Sequence, residues 1–415
     1  MELPPTGWGA LMCPAGTDNV RVLLVGAGVR GAKWARVIAE APDAILAGIV
    51  DLDEARALRA RDEHAPDAPV AREFALALTR IAADAVVIAT PPDSHHSLVS
   101  QAFDRGLDVL CEKPLSDEMD EVLDLIARAD DAGRHLLVGM NFRYLPTSQR
   151  IRHYALSGDL GALSYGHFTY HRQRDGNRHD LNDYVMTMAH PMLLEQSIHH
   201  FDLLRYCYDA EVESLVCDTW RPSWSTYEDD CCVSVLFCFE NGVRANYLGT
   251  WTAAWNRMDF RWRTEFEGGA LIQREQFEDL VRIDFDRGLG LRGSNFKGDA
   301  EAETPVPEPL APCTAFIDDT RELLAEFLRA VRGEAEPVTT ASDHLKTLLV
   351  VQACIESEQR RGWVALREME ERFRVSAPPV NTNTGEGRSD ADAGSARRQI
   401  AENVGRSDEE TGFPS

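Results

Sequence analysis

The stretch Val20-Arg21-Val22-Leu23-Leu24-Val25-Gly26-Ala27-Gly28-Val29-Arg30-Gly31 decides the fold. Six residues rich in valine and leucine read as a buried strand. The glycines that follow form a Gly-x-Gly-x-x-Gly turn, and Lys33 to Glu40 reads as a helix. A second strand, Ala44 to Val50, ends at Asp51, 20 residues beyond Gly31. In such a turn Gly26 permits the tight bend, Gly28 lets the backbone approach a pyrophosphate at the helix N-terminus, and Gly31 allows close helix–sheet packing. Val29 and Arg30 fall inside the same turn. Asp51 is placed to bind the ribose hydroxyls of adenosine, and its carboxylate repels a 2'-phosphate. The expected cofactor is therefore NAD rather than NADP.

Outward from this turn, strands and helices alternate. Asp84 to Ala89 is a strand closed by Thr90-Pro91-Pro92, Ser94 to Arg105 a helix and Leu107 to Cys111 a strand. Ser116 to Ala132 is an amphipathic helix with Ser116 as N-cap, and His135 to Met140 a last strand. Short apolar strands separated by helices imply a doubly wound parallel sheet. Thr90 and Pro91 end a strand at the ligand edge of that sheet, and His95 is within reach of the same crevice.

Glu112-Lys113-Pro114 ends the fourth of these strands at that edge. The chain has 43 Lys+Arg but only four lysines, Lys33, Lys113, Lys297 and Lys346. A lysine at this place suggests a task that arginine cannot perform, because an ammonium can share a proton near neutral pH and a guanidinium cannot. Glu112 either supports Lys113 as an ion pair or faces a strand neighbour.

After about residue 145 the pattern changes. Ser148 to Leu156 and Met192 to Tyr208 read as helices. Ala162 to His171, Glu211 to Thr219, Cys231 to Phe239, Arg244 to Trp251, Met258 to Glu267 and Ala270 to Gln273 read as strands. Strands without intervening helices favour an antiparallel sheet, turned at Asn241-Gly242 and Gly268-Gly269. Asp319 to Arg332 and Ser342 to Arg360 are helical. The fold class is α/β: a Rossmann-type parallel domain followed by an α+β domain with a large, mainly antiparallel open sheet. The boundaries expected are an extension over 1–18, the nucleotide-binding domain over 19–145, the second domain over 146–370 and a disordered acidic tail over 376–415.

Composition narrows the partners. A formal net charge of -25 disfavours nucleic acid and anionic membranes. No apolar run approaches the ~20 residues of a membrane helix. Residues 1–19 lack a secretory signal pattern, so a cytoplasmic location is expected. The acidic excess suggests a salt-adapted cytoplasm. Nine cysteines without a CxxC spacing read as small buried hydrophobes in a reducing compartment, with neither disulfides nor a zinc site expected.

Gly26-x-Gly28-x-x-Gly31, Ala89-Thr90-Pro91-Pro92-Asp93-Ser94-His95, Glu112-Lys113-Pro114 and Ile198-His199-His200-Phe201-Asp202 occur in that order. Together they resemble the Gfo/Idh/MocA oxidoreductases over roughly residues 20 to 365. The resemblance implies an NAD(P)-dependent, oligomeric enzyme, a dimer or tetramer, acting on a secondary hydroxyl of a sugar, cyclitol or related polyol. It carries the family's catalytic lysine onto Lys113 and its Asp-x-x-x-His pair onto Glu195 and His199. Glutamate stands at 195 where sugar-oxidising members carry aspartate, and Ser197 stands where a glycine is usual. Spacing of four places Glu195 and His199 on one helix face.

For alcohol oxidation, His199 is the natural general base, and Lys113 would stabilise alkoxide charge on the substrate oxygen. Glu195 would orient the imidazole or grip a substrate hydroxyl. Asp202 either accepts the second ring proton of His199 or caps a neighbouring element. Arg143 and Tyr144, in Asn141-Phe142-Arg143-Tyr144, are candidates for substrate contact or for an interdomain ion pair. A metal set of His190, His199, His200 and Glu195 lacks any sign of convergence, and no metal is expected. Tyr170 to Tyr184 holds His171, Arg172, Arg174, Arg178 and His179, either a basic patch for an anionic substrate or solvated loop charge. Trp251 and Trp255 are candidates for stacking on a sugar or for packing. Two other chemistries fit the same motifs: a lyase or glycosidase that retains its NAD, and a regulator that binds dinucleotide without catalysis.

Overall fold

The computed structural model describes residues 19–176, 184–254, 258–285 and 305–373. The expectations placed on residues 1–18, on Arg178, His179 and Trp255, and on the tail from 376 lie outside them.

The first sheet holds β1 (Val20–Val25), β2 (Ala44–Val50), β3 (Val70–Ala71), β4 (Ala85–Ile88), β5 (Asp108–Cys111) and β6 (Leu136–Val138). They run in the order β3-β2-β1-β4-β5-β6, and every neighbouring pair is parallel. All residues of β4 and β5 are buried, as strands covered on both faces require. The covering helices are α1 (Val29–Glu40), α2 (Glu54–His64), α3 (Phe74–Arg80), α4 (His95–Phe103) and α5 (Met119–Ala132). The chain winds outward from β1 to β3 and then crosses back to β4. The carboxyl ends of β1 and β4 therefore part at a crevice.

Two helix starts in this domain differ from expectation by three residues or more. Helix α1 starts at Val29, directly on the glycine turn, rather than at Lys33. Helix α5 starts at Met119, and Ser116 is not its N-cap. The Ser116 hydroxyl instead accepts from the Glu118 amide at 3.1 Å and donates to the Glu121 carboxylate at 2.7 Å, ordering the turn ahead of the helix.

The second sheet has nine strands: β7 (Leu163–His171), β8 (Val212–Trp220), β9 (Cys232–Phe239), β10 (Arg244–Thr250), β11 (Asp259–Phe266), β12 (Gly269–Gln273), β13 (Leu280–Asp284), β14 (Val306–Pro307) and β15 (Val364–Ala365). Their order is β14-β13-β12-β11-β7-β10-β9-β8-β15. All neighbours are antiparallel except β7 and β10, which run parallel from Tyr165 opposite Arg244 to His171 opposite Thr250. A parallel pair cannot be joined by a hairpin, so the chain between them must make a long crossover. That crossover contains α7 (Tyr184–Thr187), a π-helical turn (Met192–Ser197) and α8 (Ile198–Tyr208), after α6 (Pro146–Ser157) has led into the domain. Met192 to Tyr208 is thus two helical segments rather than one regular helix.

Helix α8 lies on the sheet through Phe201, whose ring is 5.1 Å from both Phe237 and Tyr247. The last helices are α9 (Asp318–Val331), α10 (Ala341–Arg360) and α11 (Leu366–Arg372). Leu323, Leu324, Phe327 and Leu328 of α9 return to the first sheet and share a core with Trp34, Val37 and Ile38 of α1. Eight cysteines among the described residues are free, most of them buried. No helix among the described residues is long and apolar enough to cross a membrane.

Candidate active site

The glycine turn is built for an anion at its open side. Gly26 has φ +91°, and a Cβ there would lie 2.6 Å from the Ala89 carbonyl oxygen. At Gly31 a Cβ would meet the Gly26 oxygen at 1.9 Å. Both glycines are demanded by the protein itself. Gly28 is different. Its φ of -69° and ψ of -164° suit any residue, and a Cβ would meet nothing within 4 Å. The missing side chain keeps space free at the N-terminus of α1, where no side chain caps the amides and no acid sits in the first turn. These are the conditions under which a helix start receives a phosphate. Asp51 folds over the turn, accepting from the Ala27 amide at 2.6 Å and the Asp53 amide at 2.8 Å. Thr90, half-buried, and Pro91, exposed, border the same crevice.

Lys113 reaches across to the π-helical turn. Its Nζ donates to the Glu195 main-chain oxygen at 2.7 Å and to the Glu195 carboxylate at 2.8 Å. The side chains are only 11% and 17% exposed. Because π-helical hydrogen bonding opens the turn, the main-chain oxygen of Glu195 is available to an outside donor.

His199 follows, buried and stacked on Phe142 with ring centroids 4.3 Å apart. Its Nδ1 is buried without a hydrogen-bond partner. Burial, and then the positive charge of Lys113, push the His199 pKa well below that of a free imidazole, so the ring is neutral at pH 7. The neighbouring His200 faces the sheet. It bonds the Tyr247 hydroxyl at 2.9 Å and the Gln196 amide at 3.2 Å, and burial pushes its pKa down to about 3.

Several residues read from the sequence as site groups are held elsewhere. Glu112 does not pair with Lys113; its Oε1 accepts from Arg30 Nε at 2.5 Å and from Trp34 Nε1 at 2.8 Å. Arg30 is thereby drawn beneath the glycine turn, and its Nη1 also donates to the Thr320 hydroxyl at 2.9 Å. His95 is fully buried below the crevice, between the carbonyls of Thr90 at 2.9 Å and Pro114 at 3.0 Å, where it ties the loops after β4 and β5 together.

Arg143 is held in ion pairs. Its guanidinium is 5% exposed and is gripped by Asp202, at 2.7 Å from Nε, and by Asp343 at the start of α10. Asp202 is accordingly committed to Arg143 and to the Thr347 hydroxyl, not to His199. Tyr144 is also turned away, donating to Glu326 on α9. The four residues weighed as a metal set are parted, with Glu195 on Lys113 and His200 on Tyr247. His190 instead lies near Asp229 and Asp230, with ligand atoms within 4.8 Å of one another. Those carboxylates already accept from the Asp230 amide and the Thr219 hydroxyl.

Sequence reading missed the aromatic wall. Phe142 touches His199, and Phe277 and Phe316 each lie 5.7 Å from Phe142. Phe142 sits inside the motif that was read for its polar members. A large apolar ring between the polar members of that motif was the available signal.

The chain matches the model of the oxidoreductase family with an NAD-binding Rossmann fold over residues 20–140 and that of the Gfo/Idh/MocA C-terminal domain over residues 148–272. It is 25% identical to the D-apiose dehydrogenase of Paraburkholderia graminis over 365 residues, covering 87% of this chain and 92% of the relative. It is 29% identical to the inositol 2-dehydrogenase of Corynebacterium glutamicum over 201 residues, covering 48% of this chain and 57% of that enzyme. Its fold is similar to that of an oxidoreductase from Agrobacterium radiobacter solved with NAD+, L-tartaric acid and magnesium. That likeness has a TM-score of 0.72 at 18% identity and covers 85% of this chain and 99% of the other.

Proposed function

Because the chain belongs to the Gfo/Idh/MocA family of oxidoreductases and carries its NAD-binding Rossmann domain, we propose that it oxidises a secondary hydroxyl of a sugar, cyclitol or sugar derivative, with Lys113 and His199 moving the proton. The observation that carries this reading is the clamp of Lys113 on Glu195 beside a neutral, buried His199.

NAD bound on the glycine turn would supply the hydride acceptor. Gly26, Gly28 and Gly31 shape its pyrophosphate seat, Asp51 takes the ribose hydroxyls, and Thr90 and Pro91 border the nicotinamide half. An ammonium has three donors. Two of those on Lys113 are answered by Glu195, and the third is left for the substrate oxygen. As the hydroxyl proton leaves, that donor meets the growing alkoxide charge in a site from which water is largely excluded. His199 takes the proton. With Nδ1 buried and unpartnered, we assign the accepting lone pair to Nε2. Phe142 holds the ring in plane by stacking.

Glu195 positions Lys113 rather than His199. Two acceptors from one residue hold Nζ at a fixed point, and fixed geometry is worth orders of magnitude in rate. The test is NADH formation by purified protein against a panel of inositols, aldoses, sugar acids and amino sugars. Reduction of NAD by one class supports the reading. Binding of NADH with no turnover across the panel, or turnover without net NADH, counts against it.

A further inference from the structure

We propose that the open end of the β7–β10 pair is a subsite for a carboxylate, so that the substrate is an acidic sugar or polyol; this rests on the dehydrogenase reading above.

Past His171 the chain stays extended along β10. The Arg172 amide donates to the Thr250 oxygen and the Arg174 amide to the Trp251 oxygen, both at 2.9 Å, and Gln173 bridges to Thr252. A period of two therefore places Arg172 and Arg174 on the face of Phe168 and Tyr170, the face that α8 covers. Arg172 donates to the Tyr170 hydroxyl at 3.5 Å, and that hydroxyl donates to Gln196 at 3.1 Å. Gln196 lies next to Glu195 in the π-helical turn, so hydrogen bonds tie this corner to the turn that clamps Lys113.

This corner holds several polar atoms that nothing satisfies. Arg174 Nε, Trp251 Nε1 and Asp175 Oδ2 are each buried and without a hydrogen-bond partner. Trp251 is fully buried, and the Arg174 guanidinium rests 4.6 Å from the centre of its ring. Buried donors and acceptors are nearly always paired, and unpaired atoms on a guanidinium and on the indole it rests against are the pattern of a seat for a polar ligand. The other oxygen of Asp175 is turned to the amide of Thr226 at 2.8 Å.

The chemistry of the seat follows from the donor set. The planar guanidinium presents Nε and an Nη together, the fork that matches a carboxylate. Two arginines against one aspartate leave a single positive charge, suited to a monoanion rather than to a phosphate dianion. Trp251 Nε1 and Asp175 Oδ2 supply one donor and one acceptor for adjacent hydroxyls. In a chain of net charge -25, such a local positive site also offsets the repulsion an anionic substrate would meet on approach.

The experiment is calorimetric titration of NADH-loaded full-length protein with D-gluconate and D-glucuronate, and with D-glucose and myo-inositol as neutral counterparts. It is repeated on Arg174→Gln, Arg174→Lys and Arg172→Gln. The proposal expects the acids to bind at least tenfold tighter than the neutral compounds. It expects Arg174→Gln to weaken acid binding by about 10- to 100-fold while NADH binding and melting temperature hold. Arg174→Lys should recover part of the loss, and added salt should weaken the acids alone. Equal binding of acid and neutral sugar, no acid binding, tighter binding of glucose 6-phosphate, or an unchanged preference in both glutamine variants each overturns it. Should Arg174→Gln fail to fold, Arg172→Gln decides by the same ratio. If, in a parallel assay with NAD in place of NADH, the acids that bind give no NADH, the dehydrogenase reading fails and the acid subsite stands.

Discussion

Lys113 and Glu195 are joined twice, through the carboxylate and through the main-chain oxygen of the same glutamate. The pair spans the two domains, and it explains why glutamate serves at this position. From the π-helical turn, a residue that also offers its main-chain oxygen must bend its carboxylate back to the same nitrogen. One methylene more than aspartate gives the reach to do so.

Replacing Lys113 with alanine should lower kcat by about 100- to 1,000-fold, the loss seen when one donor to a developing oxyanion is removed. NAD binding should persist. Lys113→Arg should not rescue, because a guanidinium cannot present a single proton at the same point. Steady-state rates and a separate NADH titration check this; near-wild-type turnover in either variant would remove Lys113 from the chemistry.

Glu195→Gln keeps the main-chain acceptor and one side-chain oxygen but loses the charge. Glu195→Asp keeps the charge and shortens the reach. If Glu195 positions Lys113, both should lower kcat more than they raise KM, by about tenfold or more. A pure rise in KM would show instead that Glu195 grips the substrate.

The glycines separate into two kinds. Gly31→Ala places a Cβ 1.9 Å from a main-chain oxygen and should yield little folded protein. Gly28→Ala should fold normally, since nothing stands within 4 Å of the new methyl. It should weaken NAD binding by about 10- to 100-fold, the worth of one charge-assisted hydrogen bond displaced. Melting temperatures and cofactor titrations distinguish the two.

Arg143→Met should destabilise the fold by about 1–3 kcal/mol, because buried Asp202 loses its nearest charged partner and keeps only Arg205 at 3.7 Å and the Thr347 hydroxyl at 3.1 Å. Denaturant unfolding measures this. An effect confined to substrate KM would instead return Arg143 to the substrate site.

Acid should weaken the fold early. Burial holds the pKa values of His200 and His344 down to about 3. In the unfolded chain they titrate near ~6.5, so the unfolded state binds more protons below that pH. Stability present above pH ~6.5 should therefore fall on acidification by about 1.4 kcal/mol per pH unit for each such histidine. Unfolding curves between pH 7 and 5 check the slope. His200→Asn should flatten it.

The sequence carried the first domain almost whole, because a parallel sheet buried on both faces leaves unbroken apolar runs and its turn needs glycine at Gly26 and Gly31. It also placed Lys113, Glu195 and His199 in one region. Where it stopped is equally physical. Arg143 and Tyr144 carry polar groups that suit either a ligand or a carboxylate from a distant helix, and the partners Asp343 and Glu326 lie about 200 residues away. The parallel pairing of β7 with β10 was hidden because alternation along a strand reports its faces and not its neighbour's direction. The π-helical turn was hidden because its composition is that of any helix.

The parallel β7–β10 pair also bears on the order in which the molecule assembles. The register sets Tyr165 opposite Arg244, so the helix bearing His199 lies inside a long chain loop that must close before the pair can form. Loop closure of that span is entropically costly, and such non-local pairing slows folding. The nucleotide seat waits in turn for α9, whose Leu323, Leu324 and Phe327 complete the core beneath α1. Neither domain is therefore expected to finish until the chain is nearly complete, and the seat for dinucleotide should mature together with the catalytic helix rather than ahead of it.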